Sequence, residues 1–139
     1  MKFITSLVIV VICISYTTAR LSGEQKEQLK EFGQECTNLI RISEQGLKRI
    51  GSGNLEDLDF NEKCWIECVF ERLGILRDGQ IQTSVIMGSL TSMGYDLDTA
   101  TGITFQCENP QGENACERAH DLALCYLRQN AGLHHRKRR

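Results

Sequence analysis

The spacing of the cysteines limits what this chain can fold into more than any other feature of the sequence. Seven cysteines are present, and the six that follow the N-terminal segment are Cys36, Cys64, Cys68, Cys107, Cys116 and Cys125. Their spacing is Cys, 27 residues, Cys, three, Cys, 38, Cys, eight, Cys, eight, Cys. An even number of cysteines in an exported chain indicates disulfide bonds, which supplement a core that is small relative to its surface.

The N-terminal segment has the pattern of a secretory signal peptide. A charged start precedes an apolar run over residues 3–14, and small polar residues lead to Ala19. We expect cleavage after Ala19, which makes residues 1–19 the signal peptide, removes Cys13 and leaves Arg20 first. Because the apolar run is shorter than the roughly 20 residues that span a bilayer, we predict a secreted, extracellular protein without stable membrane insertion.

The charges are unevenly distributed along the chain. Lys and Arg total 16 against 18 Asp and Glu, and four of the bases form the C-terminal run 136–139. The acidic remainder argues against a nucleic-acid partner. We predict one domain over residues 20–133 and a disordered basic tail over 134–139; trimming after the basic run and binding to anionic surfaces are alternatives for the tail.

Helical periodicity predicts an all-α domain of five to six short helices. The predicted helices cover residues 23–41, residues 44–50, Asn61 to Gly74, a segment through Ile86 that ends at Gly94, and Asn114 to about residue 129. Asp78-Gly79 predicts a turn. Residues 99–107 are ambiguous, because Ile103, Phe105 and Cys107 alternate as in a strand, whereas an isolated strand would have no partner.

Helix geometry excludes two cysteine pairs. Cys64 and Cys68 are four residues apart, which separates their Cβ atoms by about 5–6 Å, whereas a disulfide needs about 3.8 Å. Cys116 and Cys125 are nine residues apart and lie on opposite faces of one helix. Of the 15 connectivities open to six cysteines, 10 contain neither pair.

The other uses of cysteine fit the spacing less well than structural disulfides. A thioredoxin-type redox site needs C-x-x-C, and Cys64 and Cys68 are separated by three residues. A zinc site needs a second close pair, and none follows among the last three cysteines. We therefore expect no metal and no cofactor.

The complete pattern, with C-x-x-x-C followed by C-x-eight-C inside a helical, exported chain, resembles the insect odorant-binding proteins of the pheromone-binding and general odorant-binding family. The resemblance covers essentially residues 22–130. It implies the disulfide bonds Cys36–Cys68, Cys64–Cys116 and Cys107–Cys125. It also implies a compact bundle around an apolar cavity that carries odorant-like or pheromone-like alcohols, aldehydes, esters or similar small apolar ligands. An olfactory or other chemosensory receptor is then a candidate partner, and a monomer or weak homodimer is expected.

The sequence does not separate cavity walls from core filling, because the same residue types serve both. The candidate wall residues are Phe32, Leu39, Ile50, Trp65, Leu73, Leu76, Ile86, Met87, Leu90, Met93, Phe105, Leu122 and Tyr126. The flexible thioether chains of Met87 and Met93 suit varied ligands. The hydroxyl of Tyr126 is a candidate for orienting a ligand's polar group.

No convincing catalytic site is present in the sequence, so we expect a protein that is not an enzyme. The segment from Cys116 to Asp121 faintly resembles the active-site helix of secreted phospholipases A2, but the doubled cysteine and the glycine-rich calcium loop are missing. The segment from Asp96 to Gly102 begins like a calcium loop, but Ala100 occupies a ligand position. The alternative to a carrier is a secreted helical interaction or signalling protein that acts on a receptor or membrane through its basic tail.

Overall fold

The structure is a computed structural model that describes the backbone of residues 23–137 and the side chains of residues 27–129. The predicted signal peptide lies outside the described residues. Within them, six helices and one short hairpin occur: α1 Gly23–Leu39, α2 Glu44–Gly51, α3 Phe60–Arg72, β1 Leu76–Arg77, β2 Gln80–Ile81, α4 Thr83–Ser92, α5 Leu97–Gln106 and α6 Ala115–Lys137. The predicted all-α class is confirmed.

The pair α3 and α6 forms the centre of the bundle. The helix α6 packs along α3, α1 packs against α3, and α4 packs against α5. Three disulfide bonds connect these elements: Cys36–Cys68, Cys64–Cys116 and Cys107–Cys125. They are the pairs that the family resemblance implies, and the two cysteines of α3 bind different helices. In the chain-entropy model each such cross-link stabilises the fold by about 3–4 kcal/mol.

The helix α3 begins earlier than predicted. Its N-cap is Asp59, whose carboxylate accepts a hydrogen bond from the backbone N–H of Glu62 at 2.8 Å. The Glu62 carboxylate in turn accepts from the backbone N–H of Asp59 at 3.1 Å, which completes a capping box. Asn61, the predicted cap, therefore lies inside the helix. At the start of α6 the predicted cap Asn114 is present and accepts from the N–H of Glu117 at 2.9 Å.

The ambiguous segment forms the helix α5. Asp96 caps it by accepting from the backbone N–H of Thr99 at 2.7 Å, which gives the calcium-like sequence a structural role. Ile103 and Cys107 are four residues apart, so they share the buried face of the helix, and Phe105 lies on the opposite side with 67% of its surface exposed. The prediction of Phe105 as a cavity wall is therefore wrong.

The predicted turn at Asp78-Gly79 closes the hairpin. Both residues have positive φ, 53° and 78°, as a two-residue hairpin turn of this type requires. The strands pair antiparallel with Leu76 opposite Ile81. The strands are only two residues long, which leaves them without a sequence signal of their own.

The helix α6 is longer than predicted. Its backbone remains helical to Lys137, whereas the sequence indicated an end near residue 129 and disorder from His134. The division into signal peptide, domain and basic tail stays a prediction. None of the helices within residues 23–137 combines the length and the apolar character needed to cross a membrane.

Candidate functional site

Most of the buried apolar residues among the described side chains belong to one group, here called the main apolar cluster. All six helices, the hairpin and the connecting segments contribute residues to it. Seven of the predicted wall residues are buried in it: Ile50, Trp65, Leu76, Ile86, Leu90, Leu122 and Tyr126. Leu73 and Met87 are partly buried against it. The sulfur of Met87 lies 3.2 Å from the hydroxyl oxygen of Thr104, which brings α4 into contact with α5.

The other predicted wall residues lie elsewhere. Met93 is buried with Leu29 in a second, smaller cluster, and Phe32 is half-buried. Leu39, the last residue of α1, is 67% exposed, so its prediction as a wall is wrong. The physical reason is the helical repeat: Cys36 is buried and Ile40, four residues later, packs against the main cluster, whereas Leu39 is turned about 100° away from Ile40.

Several of the most deeply buried residues were not among the predicted wall residues. Ile66, Val69 and Phe70 each expose at most 1% of their surface in α3. They lie one, four and five residues after Trp65, a spacing that places all four on one helical face and could have identified them. Ile103 was missed because the alternation in its segment resembled a strand.

Among the described residues, three polar or charged side chains are buried, and each has a partner. Glu62 accepts two hydrogen bonds of 2.8 Å from the Arg49 guanidinium. Thr104 donates to the backbone carbonyl of Ala100, whose oxygen is 2.8 Å away. His120 lies with Nε2 2.5 Å from the carbonyl oxygen of Leu55, which requires that nitrogen to be the donor. These groups stabilise the fold.

The segment with the faint lipase-like pattern is also occupied by structural contacts. Cys116 is bonded to Cys64, and the carboxylate of Asp121 accepts from the backbone N–H of Gln111 at 2.7 Å. Together with the His120 contact, these interactions engage Cys116, His120 and Asp121. Among the described side chains, no three His, Cys, Asp or Glu residues are grouped so that they could hold a metal ion.

Trp65 and Tyr126 are buried members of the main apolar cluster, and each carries one polar side-chain atom. Within the described residues, the polar atom of Trp65 has a hydrogen-bond partner and that of Tyr126 has none. The indole N–H of Trp65 donates to the hydroxyl of Thr37, with a nitrogen–oxygen distance of 3.1 Å. The hydroxyl of Tyr126, in a side chain only 2% exposed, has no hydrogen-bond partner among the described residues. Leaving a polar group buried and unpaired costs about 1–3 kcal/mol, so this hydroxyl requires an explanation.

Burial determines the ionisation of Tyr126. It raises the pKa of the phenol well above its usual range, because the phenolate would lose its hydration. Tyr126 therefore remains a neutral group at physiological pH, with one hydrogen to donate and lone pairs to accept.

Glu67, on α3, is a second titratable group with a raised pKa. Partial burial raises the pKa of its carboxyl to about 7, and a hydrogen bond with the carboxyl of Glu71 and the like charge of Glu71 add to the effect. The two residues are four apart on the helix and therefore neighbours on its surface. This carboxyl therefore titrates near neutral pH.

Six helices, three disulfide bonds between them and one main apolar cluster define the described part of the chain as a small, cross-linked all-α protein. The chain belongs to the PBP/GOBP family, whose sequence model matches residues 18–129. The resemblance drawn from the cysteine pattern is thereby confirmed.

Related proteins and solved structures agree with this assignment. The chain is 28% identical over 110 residues to general odorant-binding protein 56a of Drosophila melanogaster. The aligned region covers 79% of this chain and 78% of that protein. It is 27% identical over 126 residues to the B1 protein of Tenebrio molitor, covering 90% and 92% of the two chains. The fold is similar to that of the fatty acid binding protein OBP56a from the oral disk of the blowfly Phormia regina. That similarity has a TM-score of 0.71 and 24% identity over 81% of this chain and 96% of that one.

Proposed function

We propose that this protein is a secreted carrier that binds one small apolar molecule in its main apolar cluster and releases it unchanged. The observation that carries the proposal is an interior of large apolar side chains, enclosed by disulfide-linked helices, with an unpaired hydroxyl inside it. Burial of ligand surface contributes about 25 cal/mol per Å² before the entropy cost of association. This balance favours micromolar affinity and broad selectivity.

The related proteins support the class of ligand. The Drosophila relative is described as an odorant-binding protein and the blowfly neighbour as a fatty acid binding protein. Fatty acids share an apolar chain with the alcohols, aldehydes and esters that the family resemblance implies, although their head group differs. The partly buried Met87, with its flexible thioether chain, is suited to adjusting to ligands of different shape.

Two features support export and binding without turnover. The predicted signal peptide and the three disulfide bonds agree with an extracellular environment, where cystine is stable. In the lipase-like segment, Cys116 is a disulfide and the side chains of His120 and Asp121 are hydrogen-bonded to the backbone, which supports binding without turnover. We further propose that the carrier acts as a monomer or weak homodimer and delivers its ligand to a receptor.

Native mass spectrometry of the protein purified from its source tests this proposal. The expected protein mass corresponds to a chain that begins at Arg20 and lacks six hydrogens because of three disulfide bonds. A second, heavier species should lose a small organic molecule on mild activation. A chain that retains residues 1–19 would contradict export, and a source-purified protein without any small-molecule adduct would count against the carrier function.

A further inference from the structure

We infer that the Tyr126 hydroxyl is the polar anchor for the bound ligand and that it selects neutral oxygen-containing molecules over ionised carboxylates. This inference rests on the carrier function proposed above and specifies the ligand class of that same site. It starts from the unpaired state of one hydroxyl in an interior where the other buried polar side chains are paired.

Elimination leaves Tyr126 as the available group. The carboxylate of Glu62, the hydroxyl of Thr104 and the imidazole of His120 bind protein partners, and so does the indole N–H of Trp65. A ligand oxygen that took the hydrogen of Thr104, His120 Nε2 or Trp65 would have to break an existing hydrogen bond. A ligand that binds the Tyr126 hydroxyl instead gives a partner to a group that has none among the described residues.

The charges of the interior determine which head group fits. No Lys or Arg is buried among the side chains of residues 27–129. The side chains of Arg49 and Arg72 are both 44% exposed and are already paired with Glu62 and Glu35. Lys63, whose side chain is 20% exposed, is paired with Glu117. An ionised carboxylate would lose its hydration without gaining a positive partner, whereas an alcohol, aldehyde, ketone or ester needs only one hydrogen bond. The neutral phenol supplies that bond as donor or acceptor.

Replacement of Tyr126 by Phe separates a binding role from a structural role. The ring that fills the cluster is retained, and only the hydroxyl is removed. If the hydroxyl has no partner in the ligand-free protein, Tyr126→Phe should leave the melting temperature unchanged or raise it. A hydroxyl that stabilised the fold would instead lower the melting temperature on removal.

Competition experiments with three ligands of matched size measure the selectivity. Decanol, undecane and decanoate displace the neutral fluorescent probe N-phenylnaphthylamine from the disulfide-bonded protein at pH 8. For the unmodified protein we expect decanol to bind at least about tenfold more tightly than decanoate, and decanoate to gain affinity as the pH falls through its own pKa. In Tyr126→Phe, decanol should lose about two- to tenfold in affinity, while undecane changes by less than about twofold.

Thr104→Val is the matched control, because it removes a buried hydroxyl that already has a partner. It should leave the ratio of decanol to undecane affinity unchanged. The anchor is refuted if Tyr126→Phe lowers the melting temperature, if it weakens decanol and undecane equally, or if decanoate binds as tightly as decanol. In those cases probe binding itself still supports a carrier. If the probe does not bind, both the carrier function and the anchor are refuted.

Discussion

At the scale of single residues, Glu67 shows how burial and a neighbouring carboxyl act on one proton. The pKa of Glu67 is raised from 4.5 to about 7, first by burial and then by Glu71. Because the folded protein holds this proton more tightly than the unfolded chain, its stabilising contribution is complete below pH 4.5. That contribution is lost as the pH rises to about 7.

Glu67→Gln should therefore flatten the stability profile between these pH values. The amide does not titrate, so the free energy of unfolding should fall less between pH 4.5 and 7 than it does in the unmodified protein. The difference should be no more than about 1 kcal/mol, since solvent screens a half-exposed carboxyl. Urea unfolding at several pH values measures it, with the exposed Glu56→Gln as control. Parallel profiles for Glu67→Gln and the unmodified protein would contradict the raised pKa.

Residue-scale predictions from sequence succeeded where helical spacing alone determines direction. Trp65, Leu90 and Leu122 were expected to face inward, and all three are buried. Leu39 was predicted to be a cavity wall, but it is exposed at the end of α1, and the next residue, Ile40, packs against the main apolar cluster instead. The unpaired state of Tyr126 depends on every group around its hydroxyl, and no local pattern encodes such a neighbourhood.

At the scale of secondary structure, caps determine where the helices begin. In α3, Asp59 and Glu62 form the capping box. The carboxylate of Glu62 also pairs with Arg49 of α2, and this ion pair connects the start of α3 to α2. The sequence favoured Asn61 because asparagine is a good N-cap. Asp59 was the better candidate, since only it has a glutamate three residues later.

Asp59→Ala should lower the free energy of unfolding by about 1 kcal/mol. The substitution removes the acceptor for the N–H of Glu62 at the first turn of α3. Chemical denaturation with the disulfide bonds intact measures the loss, and Asp57→Ala, at an exposed position outside the helices, is the matched control. Equal stability of the Asp59 and Asp57 variants would contradict the assignment of Asp59 as the cap.

The segment that becomes α5 shows why patterns in short elements are ambiguous. Ile103 and Cys107 are four residues apart. They would lie on the same side of the element both in a helix, where four residues make about one turn, and in a strand, where every second residue faces the same way. The two interpretations differ only for Phe105, which the helix turns into solvent. Packing against α4 and the Cys107–Cys125 bond, neither of which is a local property, favours the helix.

At the scale of the whole molecule, the disulfide bonds connect α1 to α3, α3 to α6, and the C-cap residue of α5 to α6. Geometry reduced the possible connectivities, and the family resemblance implied one of them, which is the connectivity of the structure. The sequence could not divide the apolar residues into ligand contacts and core filling, because both require burial. That division depends on volumes created jointly by several helices.

The central claim is that the cross-linked interior accepts one apolar molecule. The measurement that tests it most directly is a titration of the mature, disulfide-bonded protein with N-phenylnaphthylamine, followed by competition with medium-chain alcohols, aldehydes and esters. The single tryptophan, Trp65, lies in the main apolar cluster and reports binding independently of the probe.

We predict saturation at one probe per chain with micromolar affinity, displacement by the competitors and a melting temperature that rises with ligand concentration. Reduction of the disulfide bonds should abolish the binding. A correctly bonded, cooperatively unfolding protein that shows no saturable binding to a broad panel of apolar probes would contradict the carrier function. That result would favour the alternative of a secreted protein that acts on a receptor or membrane through its basic tail.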